Sequence, residues 1–79
     1  MDFSRHARSQ ITERKIERQW VVKTVSEPEF VREDANDQNV ILVFRRIPEA
    51  GDRWLRVVYT ARAEKVIVIT AFFDRKARR

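Results

Sequence analysis

Few residues in this chain are of a type that can do chemistry, and they narrow the options quickly. His6 is the only side chain whose ordinary pKa lies near neutrality, so a proton-transfer role at pH 7 falls to it first. The other reading of His6 is a surface or capping histidine at a helix start. There is no cysteine among the 79 residues. Thiol nucleophiles, thiolate zinc sites, iron–sulfur clusters and disulfides are therefore excluded. Glu27, Glu29, Glu33, Asp34 and Asp37 form an acidic segment. Its spacing matches no calcium loop, there is no HExxH, and it reads better as the solvated flank of an edge strand, so no metal is expected. Ser4 lies near His6, but no GxSxG elbow surrounds it. A single glycine cannot build a phosphate-cradling loop, so nucleotide-dependent chemistry is excluded and no cofactor is expected.

One catalytic class stays open, cleavage of RNA through its own 2′-hydroxyl. The RNA brings the nucleophile. The protein need only orient it, move a proton and stabilise a charged phosphorane. His6 is the candidate proton shuttle, with Arg14 and Arg56 as phosphate stabilisers. Arg45, Arg46 and Tyr59 are also of suitable type. At the C-terminus, Arg75, Lys76, Arg78 and Arg79 form a basic run that would grip a phosphate backbone, or would simply be a frayed basic end.

The charge balance supports such a partner. There are 17 Lys+Arg against 12 Asp+Glu, a net charge of +5. Arg outnumbers Lys 13 to 4, and the guanidinium fork matches phosphate or carboxylate bidentately. That bias suits nucleic acid or an acidic protein, unless it reflects only codon usage and a solvated surface. Hydrophobic residues make up 43% and charged residues 37%, which fits one soluble folded domain over residues 1–79, with a basic tail from about residue 74. A chain this short buries only about 60–65% of its unfolded surface, so its stability margin is thin. The longest apolar runs, residues 40–44 and 66–69, cannot span a bilayer. Residues 1–6 lack an apolar core behind a basic start, so a cytoplasmic protein with no membrane partner is expected.

The elements that must position these residues follow from periodicity and from the scarce Pro and Gly. Ser4 is a candidate N-cap. Phe3, Ala7 and Ile11 share one helical stripe, and Trp20/Thr24 and Val21/Val25 make a second. Two short helices are predicted, about 4–14 and 17–26, the second ended by Pro28. Phe30–Glu33 reads as a short strand, and 39–47, 54–60 and 66–73 as long ones. The loops between them, 48–52 and 61–64, are short enough to demand antiparallel hairpins. Pairing Ile47 with Arg53 and Thr60 with Lys65 puts Leu42, Phe44, Arg46, Trp54, Arg56, Val58, Ile67, Ile69 and Phe73 on one face. Ile41, Val43, Arg45, Leu55, Val57, Tyr59, Val66, Val68, Thr70 and Phe72 fall on the other. Both faces are apolar, and two helices cover only one. The second is expected to be an exposed patch that docks a partner, an antitoxin or a second copy, unless the sheet curls over it.

His6-Ala7, Glu13-Arg14-Lys15-Ile16, Trp20 and Pro28, with Trp54-Leu55-Arg56-Val57-Val58 and residues 66–72, resemble the pattern of a family of small uncharacterised bacterial domains. The likeness spans about residues 3–73 and departs at Lys15, where that family usually carries Gly. In pattern the family is similar to the BrnT and RelE/ParE toxins, which place helices against an antiparallel sheet, act on mRNA or gyrase and are covered by an antitoxin. The resemblance implies that His6, Arg14 and Thr70 matter without assigning them roles; fixing the helix pair on the sheet would be one. The expected fold is α+β, two N-terminal helices on a three- to four-stranded antiparallel sheet of the RelE-like toxin type. The expected function is a toxin-like, metal-independent ribonuclease, the alternative being a non-catalytic protein- or nucleic-acid-binding module.

Overall fold

The structure, a computed structural model, describes residues 1–77. Strand β1 is Asp2–Phe3, followed by helices α1, Arg5–Glu13, and α2, Arg18–Ser26. Four strands come next: β2, Phe30–Glu33; β3, Val40–Ile47; β4, Arg53–Arg62; and β5, Lys65–Phe73. A 3-10 turn at Pro48–Ala50 links β3 to β4. The sheet order is β1-β5-β4-β3-β2. The fold is α+β, with helices on one face, but the sheet has five strands and is mixed. The extra strand is β1, which pairs in parallel with β5 through Asp2↔Ile67 and Phe3↔Val68. Two residues carry no readable period, so Phe3 reads as the start of the helical stripe although it belongs to the sheet edge.

Both helices start and stop for local reasons. The Ser4 hydroxyl caps α1, accepting from the Ala7 amide at 3.1 Å. Past the C-cap Arg14, Lys15 turns left-handed with φ 54°. Its amide donates to Thr12 O at 3.4 Å and that of Ile16 to Ile11 O at 3.0 Å, the paired bonds of a Schellman ending. Ile16 then drops into the core at 3% exposure. A glycine would take this backbone without strain. In α2, Val21 and Thr24 are buried, and the Thr24 hydroxyl is satisfied by Trp20 O at 2.7 Å.

The Ile47↔Arg53 register forms as expected. Between β4 and β5 the pairing is Thr60↔Ile67 and Arg62↔Lys65, so Thr60 does not face Lys65. The connection shrinks to Ala63-Glu64, whose φ values of 48° and 65° mark a type I′ turn. That shift moves the pairing by two residues and keeps the faces. A bulge then changes them: Tyr59 pairs with Val68 but Val58 pairs with Thr70, leaving Ile69 as an extra residue. Beyond it the parity inverts. Thr70 and Phe72 join the face of Val58 and Arg56, whereas Phe73 joins that of Leu55, the reverse of the bulge-free expectation.

α1 packs along β5, and α2 along β4 and β3. The core lies beneath them, in Ala7, Val21, Val43, Leu55, Val57, Val68 and Ala71. Each buried Val or Leu contributes on the order of 1.5–3 kcal/mol.

Candidate functional site

Two regions converge at one sheet edge. β1 stops at Phe3, opposite Val68, so residues 69–73 of β5 have no strand beyond them. α1 closes that gap. The Ser4 hydroxyl donates to Ile69 O at 3.0 Å. The Gln10 side-chain carbonyl accepts from the Ala71 amide at 3.1 Å and also from the Thr70 hydroxyl. Gln10 thus satisfies two donors of a strand edge from 60 residues away. Sequence reasoning missed it, although the signal was present: an amide between Ala7 and Ile11, flanking the buried stripe of a short helix. His6 lies one turn before Gln10 and Arg14 one turn after, so the three follow one another along α1. His6 and Arg14 are both exposed. Thr70 is thus tied, through Gln10, to the helix that carries His6 and Arg14.

The second region is the sheet face away from the helices. It is not the bare apolar patch expected of it. Phe30 stacks on Phe44 with centroids 4.4 Å apart, and Trp54 tilts against Phe30 at 5.3 Å. Arg32 lies over Phe30 and Phe44, at 5.3 and 5.5 Å. Arg46 lies over Trp54 at 5.3 Å, and Arg56 over Phe72 at 5.3 Å. This layer leaves Phe44 only 2% exposed with no helix above it. Guanidiniums suit the task because they are planar, weakly hydrated and attracted to the ring face. Among the described residues the exposed large apolar side chains are Met1, Val22 and Val31, none of them at the centre of this face.

Arg56 sits where the two regions meet. Its pair Arg56↔Phe72 neighbours Val58↔Thr70 on the same face. One guanidinium nitrogen reaches the Asp74 carboxylate at 3.5 Å, and its Nε is buried without a partner. Five donors are thus served by one long contact.

The other expected site residues spread more widely. Arg45 turns to the helix side, where it donates to Glu27 O at 2.6 Å and binds the end of α2. The Glu27 carboxyl is held below the usual carboxylate range, first by the hydrogen bond from Lys23, then by the charges of Lys23 and Arg45. Arg46 stays on the open face and meets Glu29 twice, through its backbone amide at 2.7 Å and its guanidinium at 3.5 Å. Tyr59 packs beside the core on the helix side. Arg75 and Lys76 are exposed in a turn after β5, in which Asp74 accepts from the Lys76 amide at 2.8 Å. Arg78 and Arg79 lie outside the described residues. Among those described, no group of three or more His, Asp or Glu side chains is placed to hold a metal ion. No described helix is long and apolar enough to cross a membrane.

No curated protein and no solved structure matches the chain. A family model does, over residues 3–73, which takes in α1 with His6, Gln10 and Arg14 and the whole of β5 with Thr70. The chain belongs to the family described as domain of unknown function DUF4258.

Proposed function

We propose that this domain acts on RNA as a metal-independent, toxin-like endoribonuclease working at the α1–β5 edge. The observation that carries the reading is the Gln10–Thr70 hydrogen bond, which ties the His6–Arg14 helix to the strand neighbouring Arg56. His6 takes the proton of the 2′-hydroxyl as its oxygen attacks the adjacent phosphorus. The bond to the 5′-oxygen breaks, that oxygen takes up a proton from water, and a 2′,3′-cyclic phosphate remains. Arg14 and Arg56 stabilise the charge that builds on the phosphorane oxygens. Gln10 is a positioning residue that holds α1 to the strand edge. The RelE-like and BrnT-like resemblance points the same way, and an acidic antitoxin would be the natural counterpart of a +5 chain.

Expression is expected to arrest growth, with RNA cleavage falling about 10²–10⁴-fold in His6→Ala and Arg14→Ala while both variants stay folded. Harmless expression, or cleavage untouched by both changes, refutes the proposal. A second reading, a non-catalytic binding module, is favoured by the arginine–aromatic layer, which needs no proton shuttle to bind a polyanion. An adjacent reading frame encoding an acidic partner supports the toxin reading over this one.

A further inference from the structure

The open face carries a feature of which the cleavage chemistry uses Arg56 alone. Its arginines do not project freely as on an ordinary basic surface. Arg32, Arg46 and Arg56 lie on Phe30, Phe44, Trp54 and Phe72, so rings and guanidinium planes alternate across β2, β3, β4 and β5. At the β4 start, Arg53, Trp54, Phe73, Asp74 and Arg75 line an open cleft of about 310 Å³. Two cations thus flank the half-buried Trp54 there, and one of them, Arg53, is itself stacked on Phe73 at 3.9 Å.

We infer that this face, with the cleft at its end, selects single-stranded over double-stranded RNA, an unpaired base entering the cleft against Trp54 while Arg46 holds a flanking phosphate and Arg56 the phosphate to be cleaved. The inference rests on the proposed action on RNA and names the form of RNA taken. Three observations carry it. Aromatic and guanidinium planes stack any unpaired base, whereas a duplex hides its base faces between neighbours. The Arg56 guanidinium has only one long ion-pair contact, to Asp74 at 3.5 Å, so its terminal nitrogens keep donors for a phosphate oxygen. The side chain stays 32% exposed, open to such a ligand.

The test uses the full chain carrying His6→Ala, so that bound RNA is not cut. Fluorescence anisotropy compares a dye-labelled strand of about twelve nucleotides with the same strand annealed to its complement. The single strand is expected to bind at least about tenfold more tightly. Trp54→Leu, which keeps an apolar side chain but removes the ring, is expected to lower single-strand affinity about tenfold. Arg46→Gln keeps the ring and is expected to cut the slope of log affinity against log salt by about 0.7, one phosphate contact. It also serves as the second variant if Trp54→Leu does not fold. Equal binding of strand and duplex, indifference to both changes, or capture of polyglutamate with no RNA bound each overturns the inference. The wild-type chain separates it from the parent proposal. Single-strand preference without cleavage leaves the inference standing and removes the nuclease; cleavage without preference does the reverse.

Discussion

On the helix side of the sheet, Leu55, Val57 and Val68 are wholly buried under α1 and α2. One position along the same strands, Trp54, Arg56 and Ile67 face away and have no helix above them. The first side is a packed aliphatic core, stable because every methyl finds neighbours and water is excluded. The second shelters its rings under guanidiniums whose charged edges still meet solvent. The first arrangement is rigid and closed. The second keeps guanidinium edges and parts of Phe30, Trp54 and Phe72 open to solvent, at the cost of weaker burial. The proposed RNA binding is therefore assigned to the face that the helices leave uncovered.

That contrast can be broken by measurement. Leu55→Ala is expected to cost about 3 kcal/mol in urea unfolding, a large share of the stability of a 79-residue domain. Phe44→Ala, on the other face, is expected to cost nearly as much because the ring is 2% exposed. A loss under about 1 kcal/mol there would show that the arginine layer does not seal the ring. Gln10→Ala strands the Thr70 hydroxyl and the Ala71 amide, and about 1–2 kcal/mol should be lost. Two changes should stabilise: Lys15→Gly by about 0.5–1 kcal/mol, and Ala63→Asn with Glu64→Gly by about 1 kcal/mol, since each relieves a left-handed backbone. No gain in melting temperature would contradict those turn geometries.

Arg46→Ala should cost no more than about 1 kcal/mol, the scale of an exposed cation–π contact, while weakening RNA binding more visibly than stability. The smallest effect concerns Glu27. Its pKa is lowered by Lys23, so the stabilisation is present above the ordinary carboxylate range and fades as pH falls through the lowered value. The wild type should lead Glu27→Gln slightly at neutral pH, and the lead should vanish in acid and in high salt. A lead that persists in acid would assign the difference to helix propensity instead.

The residues show why some of the fold was legible and some was not. Both helices, the edge strand Phe30–Glu33 and the Ile47↔Arg53 hairpin follow from apolar spacing and from Pro28, Pro48 and Gly51, whose conformational rules are local. The Ala63-Glu64 turn was hidden because neither residue favours positive φ. Sheet context imposes it by pairing Arg62 with Lys65. β1 was hidden because two residues have no period. The Ile69 bulge was hidden because an extra residue leaves no trace in an unbroken apolar run, yet it decides which of Phe72 and Phe73 faces the helices. At the candidate site, residue type or resemblance pointed to His6, Arg14, Arg56 and Thr70. Neither pointed to Gln10, which bonds Thr70 and Ala71.

By itself the sequence determined the chemistry that is excluded, the α+β class, the basic character and the two apolar sides of the long strands, since all of these depend on composition or on neighbours close in the chain. Only the tertiary structure decided that α1 closes the β5 edge through Gln10, that Arg45 ties down a helix end while Arg46 and Arg56 cover rings, and that the second apolar side is an arginine–aromatic layer instead of a bare patch. Those outcomes depend on contacts between different elements, up to 65 positions apart, where strand register and packing select the partners.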